Sequence, residues 1–141
     1  MIKDYFELNE LVCPDVLHSY GETAWSFFDS RLLTTLEMIR TRLNRPIIIN
    51  NYHDGGKYTQ RGFRCNLCDL VKNAKGIYVS AHMTGQAVDF DVEGCISSEI
   101  RDYIIKNKTI WPYPIRLEAG VSWCHLDTRG NTLQKVTLFS A

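Results

Sequence analysis

The chain has 141 residues, 45% hydrophobic and 23% charged, and its 16 basic and 16 acidic side chains leave a formal net charge of zero. That length suits one domain with a core large enough to fold without staples. A neutral chain carries no broad basic field, which argues against nucleic acid or an anionic membrane as partner, and no apolar run nears the roughly 20 residues of a spanning helix.

Residues 1–7 lack the basic head and apolar stretch of a secretory leader, so synthesis in the cytoplasm is expected. Residues 5–14 pair an aromatic anchor, Tyr5-Phe6, with a short apolar turn that Pro14 is expected to stop. Residues 29–43 predict the strongest helix. Leu32, Leu36, Ile39 and Leu43 form one apolar stripe, Asp29 or Ser30 caps the start, Arg40 and Arg42 suit the negative end, and Asn44 and Pro46 end it. Residues 47–51 form a continuous apolar run, expected as a buried strand. From 52 to 78 there are glycines at 55, 56, 62 and 76 and no sustained period. Structureless segments longer than about 12–15 residues tend to be functional, and this one leads directly to His82, where it would wall a cleft.

Residues 87–91 alternate as a strand, with Val88 and Phe90 toward the core and Asp89 and Asp91 on the other face. Ser97 is expected to cap a second helix reaching Asn107, with Ile100, Ile104 and Ile105 inward and Glu99 near the positive end. Trp111-Pro112-Tyr113-Pro114 is a rigid connector. Residues 115–118, 121–127 and 133–139 predict a strand meander, with turns at Ala119-Gly120 and Arg129-Gly130-Asn131. This order argues a single α+β domain over residues 1–141, an antiparallel sheet with flanking helices.

Five cysteines, an odd number in no dense framework, fit a reducing compartment. Cys65-x-x-Cys68 has no matching second pair and is expected as a local loop clip, with redox or metal chemistry as the lesser alternative. Cys13, Cys95 and Cys124 are expected as small buried hydrophobes. His18 and His53 have no partners nearby in sequence and are expected at the surface.

The remaining histidines are different. His82 and Asp89 are joined by a short segment holding Gly85, and His125 follows in Ser122-Trp123-Cys124-His125-Leu126-Asp127. Two imidazoles and a carboxylate make a three-ligand set for a catalytic Zn2+ with the fourth position left for water. Gly85 would let the backbone turn tightly beside the metal.

Ser80-x-His82-x-x-Gly85-x-Ala87-x-Asp89 together with Trp123-x-His125-x-Asp127 resembles the zinc D-alanyl-D-alanine carboxypeptidase family. That family includes phage endolysin peptidases and the vancomycin-resistance dipeptidases, and its fold is shared with the hedgehog signalling domain. The opening Tyr5-Phe6-x-x-x-Glu10-Leu11-x-Cys13-Pro14 is similar to the small phage and prophage branch. So is Pro46-Ile47-Ile48-Ile49-Asn50 leading into Gln60-Arg61-Gly62-Phe63-Arg64. The resemblance implies a hedgehog/DD-peptidase-like fold in which the long loop walls a zinc cleft, with His82, Asp89 and His125 as metal ligands. It implies a peptidoglycan stem peptide as substrate, cut by D,D-carboxypeptidase or endolysin-type endopeptidase action. It further implies a monomer that reaches the cell wall after release.

The family's general base precedes the last histidine, often by three positions, which is Ser122 here. Glu118 becomes the candidate, against the plain alternative of a strand-end glutamate paired with Arg116 or a lysine. Asp127 is expected either to orient a ligand imidazole or to be the base itself. The arginine that steadies the oxygen charge of the intermediate matches Arg64, with Arg61 as its neighbour. Ser80 is a candidate for positioning substrate or a ligand, and Trp123 for the cleft wall. Two other readings remain open: a metal-binding but catalytically silent module, and a structural phage protein without zinc.

Overall fold

In the computed structural model, which describes residues 1–130 and 133–141, Pro14 starts a helix where the sequence led us to expect a stop. The chain turns through α1 (Leu8–Leu11), runs extended across Val12 and Cys13, and re-enters helix at α2 (Pro14–Tyr20). Proline's fixed φ and missing N–H suit a first helical position, where no intrahelical donor is needed. A 3-10 stretch (Gly21–Phe27) leads into α3 (Ser30–Leu43). Here the apolar stripe does what its spacing dictates. Leu32, Leu36 and Ile39 are fully buried, the Asp29 carboxylate accepts from the Arg31 N–H at 2.9 Å, and Asn44 closes the helix in the left-handed region at φ 48°.

The apolar run after Pro46 pairs only at β1 (Ile47–Ile48). Ile49 is buried, and Asn50 spends its side chain stapling two other segments. Its Nδ2 donates to the Val12 carbonyl at 3.0 Å and its Oδ1 accepts from the Arg61 N–H at 2.9 Å. The long stretch that follows holds a 3-10 turn (Tyr52–Asp54) and the short α4 (Asp69–Lys72).

β2 (Ala87–Val92) is followed by α5 (Ser97–Lys106), which packs on β2 and on β4 (Cys124–Asp127). Ser97 does not cap α5. Ile96 holds that position, and the Ser97 hydroxyl donates to the Val121 carbonyl at 3.5 Å. Ile100 and Ile104 are buried as expected, whereas Ile105 lies outside the stripe at 37% exposed.

With β3 (Ile115–Glu118) and β5 (Val136–Phe139) the strands form one sheet in the order β1-β2-β4-β3-β5. The expected antiparallel pairing holds for β1/β2, β2/β4 and β3/β4 and fails for β3/β5, which is parallel, and the meander fails at its last step, since β5 joins β3 rather than β4. The cause is simple. β4 has β2 on one side and β3 on the other, so β5 cannot pair with β4 and adds at the outer edge of β3, running in the same sense as β3. The strands expected over 121–127 and 133–139 are correspondingly shorter, and Asn131, in the turn expected after Arg129, lies outside the described residues. No helix among the described residues is long and apolar enough to cross a membrane.

One glycine fixes how the turn before β2 sits on the rest. Gly85 has φ +69°, and a Cβ there would lie 1.9 Å from the Phe27 carbonyl oxygen; its own carbonyl accepts from the Asp29 N–H at 2.9 Å. Gly85→Ala combines left-handed strain with a backbone clash, so it should destabilise the fold by about 2 kcal/mol or more, read as a lower denaturant midpoint.

Candidate metal centre

The β2/β4 register sets Asp89 directly opposite His125, and the β3/β4 register sets Arg116 opposite Asp127. Because strand side chains alternate, His125 and Asp127 share one face of the sheet. His82 joins them from a 3-10 turn (Ala81–Thr84), which Ser80 starts by accepting the His82 N–H on its hydroxyl at 3.2 Å.

The His82 ring is oriented by backbone. Its Nδ1 donates to the Gly62 carbonyl at 2.9 Å, and since a carbonyl can only accept, Nδ1 carries the proton. Burial lowers the pKa of this histidine and outweighs the pull of Asp89 toward the charged form, so the ring is neutral. Its Nε2 lone pair then faces the Asp89 Oδ2 at 3.3 Å. Two acceptors pointed at each other inside a protein are unfavourable unless a cation lies between them.

His125 places Nδ1 2.7 Å from Asp89 Oδ1 and Nε2 2.8 Å from Asp127 Oδ2. Burial alone would depress its pKa, but the Asp127 and Asp89 carboxylates raise it to about 9. A metal taking Nδ1 would displace that proton and leave Nε2–H on Asp127. The same contacts act on the acids. Burial would raise Asp89, but hydrogen bonds from His125 and His82 hold it well below the usual carboxylate range. Asp127, also pushed up by burial, is pulled down by His125 and Arg116.

Ligand-capable atoms of His82, Asp89 and His125 all lie within 4.8 Å of one another, and all three residues are buried. The neutral imidazole, the carboxylate and the second imidazole thus fit a divalent ion held from three sides. Asp127 is held differently. Its oxygens accept from Arg116 Nε at 2.7 Å, Arg116 Nη2 at 2.9 Å, His125 Nε2 and the Arg129 N–H at 3.1 Å. A carboxylate has about four acceptor sites, so Asp127 is fully engaged by these groups, His125 among them. Asp127→Asn should weaken metal affinity about 10–100-fold, measured by competition with a chelating dye.

Arg64 and Arg61 separate in space. Arg64 is buried, donating from Nη2 to Asp89 Oδ2 at 3.2 Å and from Nε to the Gln60 carbonyl at 2.6 Å. Arg61 turns away to Asp91 at 3.0 Å and lies over the Tyr58 ring at 4.2 Å. Arg64 is therefore the arginine at the ligand cluster.

A cavity of about 420 Å3 opens on the cluster, its wall including Ser80, Arg64, Glu118 and Trp123 beside His82, Asp89 and His125. A neighbouring cavity of about 370 Å3, lined by Lys57, Arg61 and Ser122 among others, shares Arg64, Asp89 and Trp123 with the first. The loop expected to wall a cleft does so through both. Glu118 is half-buried and makes no ion pair among the described residues. Arg116, one of the partners expected for it, is instead committed to Asp127. The Trp123 indole N–H is buried and finds no hydrogen-bond partner among the described residues.

Sequence reasoning missed Arg116 as the partner of Asp127, because the β3/β4 register that brings them together is not written in either strand. It also missed Gly62, whose carbonyl no side-chain pattern reveals. It placed Cys13 among plain apolar residues, whereas the Cys13 thiol lies with Cys65 and Cys68 in a second metal-capable group. Cys124 is fully buried as expected and Cys95 only half so; His18 and His53 are exposed. Comparison with protein-family models, with curated proteins and with solved structures returned no match.

Proposed function

We propose that the chain is a zinc-dependent peptidase of the hedgehog/DD-peptidase fold that hydrolyses amide bonds in peptidoglycan stem peptides. The observation that carries this reading is the meeting of His82, Asp89 and His125 beneath a cavity that also holds Glu118 and Arg64. Two imidazole nitrogens and one carboxylate suit zinc among the common divalent ions. Bound there, the metal supplies Lewis acidity toward an amide carbonyl and an activated water for attack.

The chain's own groups divide the rest of the work. Glu118, with no competing ion pair, takes a proton from the attacking water and returns it to the leaving amine. Arg64, anchored by Gln60 and Asp89, keeps further N–H groups for the oxygen on which charge develops. Asp127 and the Gly62 carbonyl hold the two imidazoles in their ligating tautomers. Digestion of purified cell wall, with and without chelator, tests the reading: chelator-sensitive release of stem-peptide fragments is expected.

A second reading, a metal-binding but silent module, is favoured by Ser122 standing three positions before His125, where an acid would serve as base. Stoichiometric zinc with no release of fragments would select it.

A further inference from the structure

Three thiols from distant parts of the chain converge away from the histidines. Cys13 comes from the extended link before α2, and Cys65 and Cys68 from the turn that opens α4. Cys13 Sγ lies 3.6 Å from Cys65 Sγ, Cys65 Sγ lies 4.0 Å from Cys68 Sγ, and all three atoms fall within 4.8 Å of one another. These separations are far too long for a bond between sulfurs, which needs about 2.05 Å. They bracket the sulfur–sulfur edge of a tetrahedral thiolate site, which is about 3.8 Å for metal–sulfur bonds of about 2.3 Å.

A second feature points the same way. The Leu67 N–H donates to Cys65 Sγ at 3.4 Å, a backbone contact that would orient this sulfur as a ligand. Cys13 and Cys68 are buried, and beside them opens a cleft of about 210 Å3 bordered by Asp15, Gln60 and Asp69. The fourth corner of a tetrahedron can be filled from that cleft by a carboxylate or water.

We propose that Cys13, Cys65 and Cys68 form a second metal site, structural in role, that takes zinc as three thiolates. Each thiol gives its proton to solvent as its sulfur takes the metal. The site would clasp the opening segment to the cleft wall. That junction already rests on the Phe63 N–H donating to the Leu11 carbonyl at 2.8 Å, and on Gly62, where a Cβ would come within 2.0 Å of the same oxygen. Gly62 in turn orients His82, and Arg64 touches Asp89, so the thiolate site would stiffen the wall that holds the histidine cluster.

The experiment is metal analysis of the full chain purified under reducing conditions, followed by cobalt(II) replacement. About two zinc ions per chain are expected, falling to about one in Cys65→Ser and to about one in His82→Ala. Cobalt-loaded wild type and His82→Ala should both show the near-ultraviolet thiolate-to-cobalt charge-transfer band, and Cys65→Ser should lose it. One zinc with the band would uphold this site and remove the histidine one. One zinc without the band would do the reverse. Should Cys65→Ser fail to fold, an organomercurial titrated into wild type reads the same site, releasing about one zinc as the three thiols react. Absence of the band in cobalt-loaded wild type, or a disulfide among these three cysteines in the non-reduced peptide map, overturns the proposal.

Discussion

Replacing His82 or Asp89 should cost metal affinity by more than about a hundredfold, the largest binding effect expected anywhere in the chain. His82→Ala removes an imidazole whose lone pair has no other use, because its Nδ1–H is committed to Gly62. The packing loss should leave a folded protein, since the ring's one hydrogen bond among the described residues is to the Gly62 carbonyl. Asp89 needs a gentler substitution. Its carboxylate faces Arg64, His82 and His125 together, so Asp89→Ala would leave a buried arginine and a raised-pKa histidine without their anion. Asp89→Asn keeps the volume and removes the charge. In a Cys65→Ser background, which excludes the thiols, both His82→Ala and Asp89→Asn should fail to retain zinc through gel filtration while still unfolding cooperatively. Stoichiometric zinc in both would refute the ligand assignment outright.

The grouping of His82, Asp89 and His125 was legible because it is written in residue types that have few other reasons to recur together. The α3 stripe was legible for a similar reason: Leu32, Leu36 and Ile39 obey a local period, and local periods survive in any tertiary context. What sequence could not show is what depends on register. The partners of Asp127 depend on the β3/β4 pairing, which brings Arg116 opposite it and fills its oxygens. The pairing of β5 with β3 followed from both sides of β4 being taken, a property of other strands. Pro14 and Ser97 illustrate a different limit. Each has a strong positional preference, but the preference is satisfied by more than one position, and the neighbours decide which. The thiol group lay hidden because a Cys-x-x-Cys seeks its partner in space, and its partner sits some fifty residues upstream, |i−j| being 52 for Cys13 and Cys65.

Glu118→Gln separates chemistry from binding, and its expected effect is a fall in turnover of about 10²–10⁴-fold with metal content unchanged. Glutamine matches the glutamate in shape and still offers an acceptor, but it cannot take a proton. Because Glu118 is half-buried with no ion pair among the described residues, the change should leave stability nearly untouched, within about 0.5 kcal/mol. Ser122 cannot compete for the role, having no group that titrates near neutrality. Asp127 is the sole rival raised by the sequence, and its acceptor sites are taken by Arg116, His125 and the Arg129 N–H. Protonating it would break the arginine pair and release His125 at the moment the ring must hold still. Full turnover in Glu118→Gln would nonetheless hand the proton to Asp127, and Asp127→Asn would then have to lose turnover at saturating zinc rather than zinc affinity alone.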